Sequence, residues 1–439
     1  MSHRLTPIRH KAEFLHDGDL IAAELGEPLA HSLIAEGRLA LARSPKLHRP
    51  RGPYCLRAAC DGCLVRVDGV PNVMACRHRV QGGETVETQN VLGSRELDLL
   101  QATDFLFPHG MDHHRLFAGV RGVSAVVQRV ARRIAGLGRL ADEPAQVREA
   151  AHETRDVVIV GGGAAGLAAA SVLGPRALLV DDALELGGSL GLLARERAEQ
   201  CLRAARGAGA ELRSETSAVG VYRDTTNEAA LSVLLSGPSG VSLVRVRFLL
   251  LASGGHDANP GFAGNDLPGI FSARAGLSLL NREIAPGERV AVVGQGPFAE
   301  QARRALGKRC VITLESDSAI ARVEGRQTLS AIFLHEGPRR VKVDALLYDG
   351  PRAPAFELAV QAGGHTRFDP ARGYLPELDA QSRAAPGVFC AGSLTDRAES
   401  SEEQGTGAAR QIAQELAESR GESSGGTPEK GALLVEPRK

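Results

Sequence analysis

The chain has no tryptophan, only four tyrosines among 439 residues, and no net charge. With so few aromatic rings, a substrate cage of stacked side chains is not expected. Lys+Arg and Asp+Glu are equal at 52 each, so the overall field gives no reason to expect nucleic acid or an anionic membrane surface as a partner. No stretch approaches the roughly 18 uninterrupted apolar residues that a transmembrane helix needs. The start, MSHRLTPIRHKAEF, has no apolar core of a signal peptide, so a cytoplasmic protein is expected. Also missing are a Ser/His/Asp arrangement, paired catalytic carboxylates and a basic-aromatic stripe. Catalytic residues for bond cleavage are therefore expected to be absent from this chain. An apolar content of 43% allows about two to four domains with real cores.

What is present is a cysteine cluster. Cys55, Cys60, Cys63 and Cys76 fall at C-x4-C-x2-C-x12-C spacing, the way a chain wraps one [2Fe-2S] cluster with three ligands on a loop and a fourth downstream. Zinc is the rival occupant. It favours two separated C-x2-C pairs or interspersed histidines, and this chain offers one C-x2-C with a lone cysteine on each side. Cluster loops use glycine where backbone N–H groups must turn toward sulfur. Here Leu56 and Ala58 stand at such places and only Gly62 is kept. Cys201, Cys310 and Cys390 are isolated in sequence, as reduced thiols are.

Around the cysteines the order is that of a β-grasp ferredoxin-like domain, residues 1–104. Lys11 to Ala22 alternates about His16-Asp17-Gly18-Asp19, a hairpin. A helix opens at Glu27-Pro28, places Leu29, Leu33 and Ile34 on one face and ends at Gly37. Residues 51–68 read as the cysteine loop running into a strand, and Asn72–Val80 as the next strand. Residues 105–154 read as a helical, basic connector, as in Val127–Leu140. Within it Pro108-His109-Gly110-Met111-Asp112-His113-His114 resembles a metal site, although three histidines so close on a loop are more often packed or hydrogen-bonded.

From Arg155 the grammar becomes strand, glycine turn, helix, strand. Asp156–Val160 is a buried parallel strand, followed by Gly161-Gly162-Gly163-Ala164-Ala165-Gly166 and an apolar helix. In this G-x-G-x-x-G the glycines serve the tight turn, the approach of a pyrophosphate and helix-to-strand packing, with phosphates at the helix N-terminus. A second strand, Ala177–Val180, ends at Asp181, with Asp182 beside it, placed to take adenosine ribose hydroxyls. The pattern recurs at Arg289–Val293, Gly294-Gln295-Gly296-Pro297-Phe298-Ala299, and Val311–Leu314 ending in Glu315. Glu315 would repel a 2′-phosphate, so this second site suits NAD over NADP, unless the turn is kept for packing alone. Ala385–Asp396 returns to the first unit, with Gly392 and Ser393 where a flavin's pyrophosphate and ribityl are met. Ser393 stands where an aspartate is usual, and Asp396 comes three residues late. The expected domains are a first nucleotide unit, 155–285 with 365–420, a second NAD-binding-like unit, 286–364, and a disordered tail, 421–439, rich in Gly, Ser and charge. The fold class is α/β, with two dinucleotide-binding domains in the manner of glutathione-reductase-like flavoproteins behind the ferredoxin-like domain.

These motifs, with His48-Arg49-Pro50-Arg51-Gly52, Asp68-Gly69-Val70-Pro71-Asn72, Leu186-Gly187-Gly188-Ser189-Leu190 and Gly264-Asn265-Asp266-Leu267-Pro268-Gly269, resemble the α subunit of the heterotetrameric sarcosine oxidase group. That group includes subunits of hydrogen cyanide synthase, opine oxidases and dye-linked proline or hydroxyproline dehydrogenases. The resemblance covers residues 10–415 and lacks the C-terminal aminomethyltransferase-like domain of some members. It implies an oxidoreductase acting on CH–NH groups as part of a complex. In such complexes a D-amino-acid-oxidase-type partner holds FAD and a small amine or imino-acid substrate, and FMN lies at a subunit interface. On this chain the resemblance implies the [2Fe-2S] cluster and a nucleotide site, with Gly188 and Ser189 among its residues, holding FAD, NAD or ATP. Two other readings stand beside it: a self-sufficient NADH-dependent reductase, and a nucleotide-bearing scaffold whose cluster is structural.

Overall fold

The computed structural model describes residues 2–44, 48–91, 149–223, 231–337 and 339–423, the last with side chains to 418. The histidine-rich segment at 108–114, the helix expected at 127–140 and the tail from 424 lie outside the described residues.

The N-terminal hairpin forms as expected: β1 (Lys11–His16) pairs with β2 (Asp19–Glu24), from Lys11 opposite Glu24 to His16 opposite Asp19. Asp17 and Gly18 both take positive φ, at 52° and 87°, which is what a two-residue turn matching the twist of its strands requires. Helix α1 (Leu29–Ala35) starts behind Pro28 and stops where Gly37, at φ 70°, returns its N–H to Ile34. All seven residues of α1 are buried, not one face only. Strands β3 (Leu64–Val67), β4 (Val70–Met74) and β5 (Thr85–Glu87) complete a sheet of order β2-β1-β5-β3-β4, with β1 and β5 parallel. This is the β-grasp arrangement. Strand β4 ends earlier than the alternation at 72–80 suggests. Leaving the ladder at Met74 frees Cys76 to turn toward the cysteine loop.

The first nucleotide unit is built on parallel strands β6 (Ala151–Val160), β7 (Ala177–Val180) and the last residues of β8 (Gly240–Leu251), with helix α2 (Ala164–Leu173) crossing between β6 and β7. β6 begins inside the segment read as connector, because residues 151–155 pair with Ser242–Val246. The second unit has parallel strands β9 (Ile270–Ser272), β10 (Val290–Val293), β11 (Cys310–Leu314) and β12 (Ala345–Tyr348), in the order β9-β12-β10-β11. Its helices are α3 (Ala273–Leu280) and α4 (Pro297–Leu306). It thus starts some sixteen residues before the expected boundary, since 286 − 270 = 16 and β9 belongs to its sheet. Strand β13 (Val388–Cys390) returns to the first sheet, parallel to the end of β8. Helix α5 (Ser401–Ser423) then lies on α2, burying Ala408, Ala409, Ile412 and Leu416. This packing extends the helix three residues into the segment read as a disordered tail.

One apolar core joins the N-terminal domain to the second unit: Leu29, Leu33 and Ile34 of α1 share it with Phe271, Ala275 and Phe298. At this seam His31 is 2% exposed, and its Nε2 meets Ser278 Oγ of α3 at 3.2 Å. Burial, with Arg282 and Arg4 nearby, pushes its pKa from 6.5 down to about 3. The folded chain thus keeps this imidazole neutral where the unfolded chain protonates it, so stability is full above pH 6.5 and lost as pH falls below it, by about 1.4 kcal/mol per pH unit. Denaturant midpoints taken between pH 7 and 5 should show this slope shallower by about that amount in His31→Gln than in wild type. Equal slopes would contradict the assignment.

Candidate functional site

The cysteines come together two by two. Cys55 and Cys60 interact through their thiols, as do Cys63 and Cys76. Cys55, Cys63 and Cys76 are 2%, 1% and 4% exposed, Cys60 is half-buried, and none forms a disulfide. Backbone N–H groups point at the sulfurs: Arg57 at Cys55 at 3.3 Å, Gly62 and Tyr54 at Cys60, Ala58 at Cys76, and Cys76 at Cys63. Hydrogen bonding from Cys55 and these N–H groups hold the Cys60 thiol down to about 6. Its partner Cys55 is pushed up, first by that same bond and then by burial. The second pair repeats the pattern, with Cys76 lowered by its bond from Cys63 and Cys63 raised.

The loop reaches this form through backbone that side-chain-bearing residues rarely adopt. Leu56 and Ala58 have φ of 50° and 58°, at the two places where glycine is expected, and each stores about 1–2 kcal/mol of strain. Gly62 has no such latitude: a Cβ there would lie 2.2 Å from the carbonyl oxygen of Gly52. The loop is clamped from two sides: Tyr54 Oη donates to the Ala258 carbonyl, and the N–H of Ser272, in the second unit, donates to the Tyr54 carbonyl.

Two dithiol pairs under inward-facing amides suit a pair of irons bridged by sulfide. Four thiols gathered in this way fit a [2Fe-2S] cluster.

The first glycine turn is tightly packed at Gly161 and Gly166 and open at Gly163 between them. Gly161, at φ 111°, has the Ala252 carbonyl oxygen 2.2 Å from where its Cβ would be, and Gly166 has the Gly161 oxygen at 1.8 Å, so both positions exclude any side chain. Gly163 differs. It caps α2 without a side-chain partner, and a Cβ there meets nothing within 4 Å. The cradle of Gly163, Ala164 and Ala165 is open at a helix N-terminus, as phosphate binding requires. Gly188, at φ 53°, closes against Gly163 Cα. Gly392, at φ 75°, comes from the far end of the chain to within 3.0 Å of Ala165 Cβ, measured from its own added Cβ. Its N–H is fixed by Gln404 at 2.9 Å, a residue with no sequence signal. Ser393 Oγ faces Gly254, while Asp396 is turned away to pair with Arg367.

Asp181 closes the turn that it follows. Its two carboxylate oxygens accept the N–H groups of Gly162 at 2.5 Å and Ala183 at 2.7 Å, so it braces the turn itself. Asp182, raised by burial and by Asp181, is the freer acid. Ser189 Oγ accepts from Arg274 at 3.3 Å, and Arg274 is paired with Asp257 at 2.6 Å inside the protein.

The second turn is closed. Asp349, just after β12, accepts the Ala299 N–H at the start of α4 at 2.9 Å, and an added Cβ on Gly296 would meet its Oδ2 at 2.4 Å. Gly294, at φ 114°, packs on the Asp349 carbonyl oxygen in the same way. A carboxylate thus stands at the N-terminus of α4, where its charge disfavours a second anion beside it. Glu315 stands exposed directly after β11, whose last residue, Leu314, accepts the Gly294 N–H at 2.9 Å. The packing role of Gly294 and Gly296 is the one this geometry favours, over a cofactor contact.

A cavity of about 1190 Å³ joins the two working parts. Leu56, Arg57 and Cys76 of the cysteine loops border it on one side, and Gly161, Asp182 and Gly188 on the other. It exceeds the usual pocket range of about 300–1,000 Å³, enough for a dinucleotide-sized ligand.

A model of the 2Fe-2S iron-sulfur cluster binding domain matches residues 9–91. The α subunit of sarcosine oxidase from Rhizobium meliloti (strain 1021) is 30% identical over 403 residues, covering 80% of this chain and 41% of the relative. Hydrogen cyanide synthase subunit HcnA from Pseudomonas aeruginosa is 34% identical over 89 residues, covering 20% of this chain and 85% of that protein. The chain spans less than half the length of the sarcosine oxidase α subunits it matches. The crystal structure of L-proline dehydrogenase from P. horikoshii has a similar fold, with a TM-score of 0.73 at 23% identity over 99% of this chain and 81% of that one. A β-grasp ferredoxin-like domain followed by a two-dinucleotide-domain flavoprotein fold is thus the architecture.

Proposed function

We propose that this chain, a member of the sarcosine oxidase α-subunit family with an N-terminal 2Fe-2S domain, is the electron-transfer subunit of a hetero-oligomeric, flavin-dependent amine or imino-acid oxidase or dehydrogenase. The observation that carries this reading is the shared cavity: Cys76, with Leu56 and Arg57 of the cysteine loop, borders the same space as Gly161 of the first turn and Gly188 beside it. A bound cluster supplies one-electron transfer. The chain's part is to hold it with Cys55, Cys60, Cys63 and Cys76, to direct N–H groups at the sulfurs, and to cradle a nucleotide, FAD or NAD or ATP, at Gly161–Gly166. Oxidation of the C–H beside the substrate nitrogen belongs, on this reading, to a D-amino-acid-oxidase-type FAD subunit, with FMN at the subunit interface. No helix among the described residues is long and apolar enough to cross a membrane.

Two observations favour a relay over a self-sufficient NADH reductase. The Asp349 carboxylate stands at the N-terminus of α4, beside the second turn. Cys201 and Cys390 sit in separate apolar cores, so they do not form the dithiol that a disulfide-reductase mechanism needs. The purified, iron-loaded chain should keep its visible spectrum on anaerobic addition of NADH, or of sarcosine, proline, hydroxyproline or glycine alone. Bleaching should follow when the co-expressed FAD subunit and the right amine are both present. Rapid bleaching of the isolated chain by NADH would favour the reductase instead.

A further inference from the structure

Arg57 lies between Cys55 and Cys60, its own N–H committed to the Cys55 sulfur. Its side chain enters the cavity that Gly161, Asp182 and Gly188 border from the opposite side. The other buried arginine of this region, Arg274, is fully engaged by Asp257 Oδ1 at 2.6 Å, the Gly255 carbonyl at 2.7 Å and Ser189 Oγ at 3.3 Å. The Arg57 guanidinium, by contrast, makes no hydrogen bond or ion pair to a described residue. The charges acting on it are the repelling Arg274 and the attracting Asp257, Asp181 and Cys55. A guanidinium cannot shed its proton to escape such a place, and half-buried arginines are ordinarily paired. Five N–H donors in a planar fork match a phosphate. The open cradle of Gly163 offers amide donors for the same kind of group.

We propose that Arg57 is a nucleotide-phosphate ligand carried on the cysteine loop, so that filling of the nucleotide crevice and the redox state of the sulfur cage are linked. This rests on the reading that the first glycine turn holds an ADP-containing nucleotide. The sign of the linkage follows from charge. Unpaired, Arg57 offsets the electron added to the cage two residues away. Paired with phosphate it no longer does, so nucleotide lowers the midpoint potential, and by reciprocity reduction weakens nucleotide binding.

ADP alone serves as the test ligand, with the anaerobically iron-loaded full chain. Calorimetry should show weaker ADP binding to the dithionite-reduced than to the oxidised wild type, a comparison that needs no variant. Arg57→Gln should lose at least about tenfold in ADP affinity, as charge-assisted bonds to phosphate are lost, while Arg57→Lys keeps most of it. In redox titrations followed by absorption, ADP should shift the wild-type midpoint to more negative values. In Arg57→Gln the midpoint should start lower and no longer respond. Equal ADP affinity in the two redox states, or an ADP-dependent shift that persists in Arg57→Gln, would overturn the proposal while leaving the nucleotide site standing. A wild-type chain that binds no ADP would overturn both.

Discussion

Cys60→Ser is expected to yield a folded protein stripped of iron-sulfur absorption. Cys60 is the least buried of the four cysteines, and its thiol is the one held down to about 6, by Cys55 and by amides of the loop. It therefore offers a thiolate near neutral pH more readily than its partner Cys55, which makes it the anchor of the first pair. Serine keeps the volume but supplies a hydroxyl that stays protonated. Half of one iron's protein ligands would be gone. Cys310→Ser is the matching control: that thiol is half-buried beside Thr313 and Ile312, remote from the cage, and its loss should leave the spectrum unchanged. Visible absorption and circular dichroism of anaerobically prepared protein check both, with far-ultraviolet signal reporting the fold. Full visible absorption in Cys60→Ser would refute the ligand set.

Gly163→Val separates nucleotide binding from folding. An added Cβ at Gly163 meets no atom within 4 Å, and the φ of −80° is one any residue adopts. The fold should tolerate the change, with a melting temperature close to wild type. The side chain would nevertheless occupy the cradle at the start of α2, so ADP affinity should fall on the order of a hundredfold, the equivalent of losing one or two amide bonds to a charged phosphate. Gly166→Val is the contrast: with the Gly161 oxygen 1.8 Å from its Cβ, it should fail to accumulate as folded protein. If Gly163→Val bound ADP as tightly as wild type, the first turn would not be the phosphate seat.

Much of this was legible in the sequence wherever the geometry is set by neighbours in the chain. The hairpin at Asp17-Gly18, the cysteine loop, and both strand-turn-helix units are specified within about ten residues, because turn chemistry and periodicity act at that range. Leu56 and Ala58 mark the limit of such rules. Composition calls for glycine there, yet amides directed at sulfur hold both residues in the left-handed region. The strand expected at 72–80 stops at Met74 because Cys76 is recruited by the loop, a tertiary demand with no local signature. The two glycine turns look alike as letters and differ as sites: Asp349, some fifty residues after Gly296, fills one, while Gly392 and Gln404 complete the other. Asp181 was legible in position, while its bracing of the turn through Gly162 and Ala183 was not. Arg57 was hidden altogether, because what sets it apart is a cavity shared with a distant turn.

The central claim is most directly tested by measuring iron, zinc and acid-labile sulfide in chain purified without oxygen. About two irons and two sulfides per chain are expected, the composition of a [2Fe-2S] cluster. One zinc in place of iron, or protein holding neither iron nor sulfide, would contradict the account.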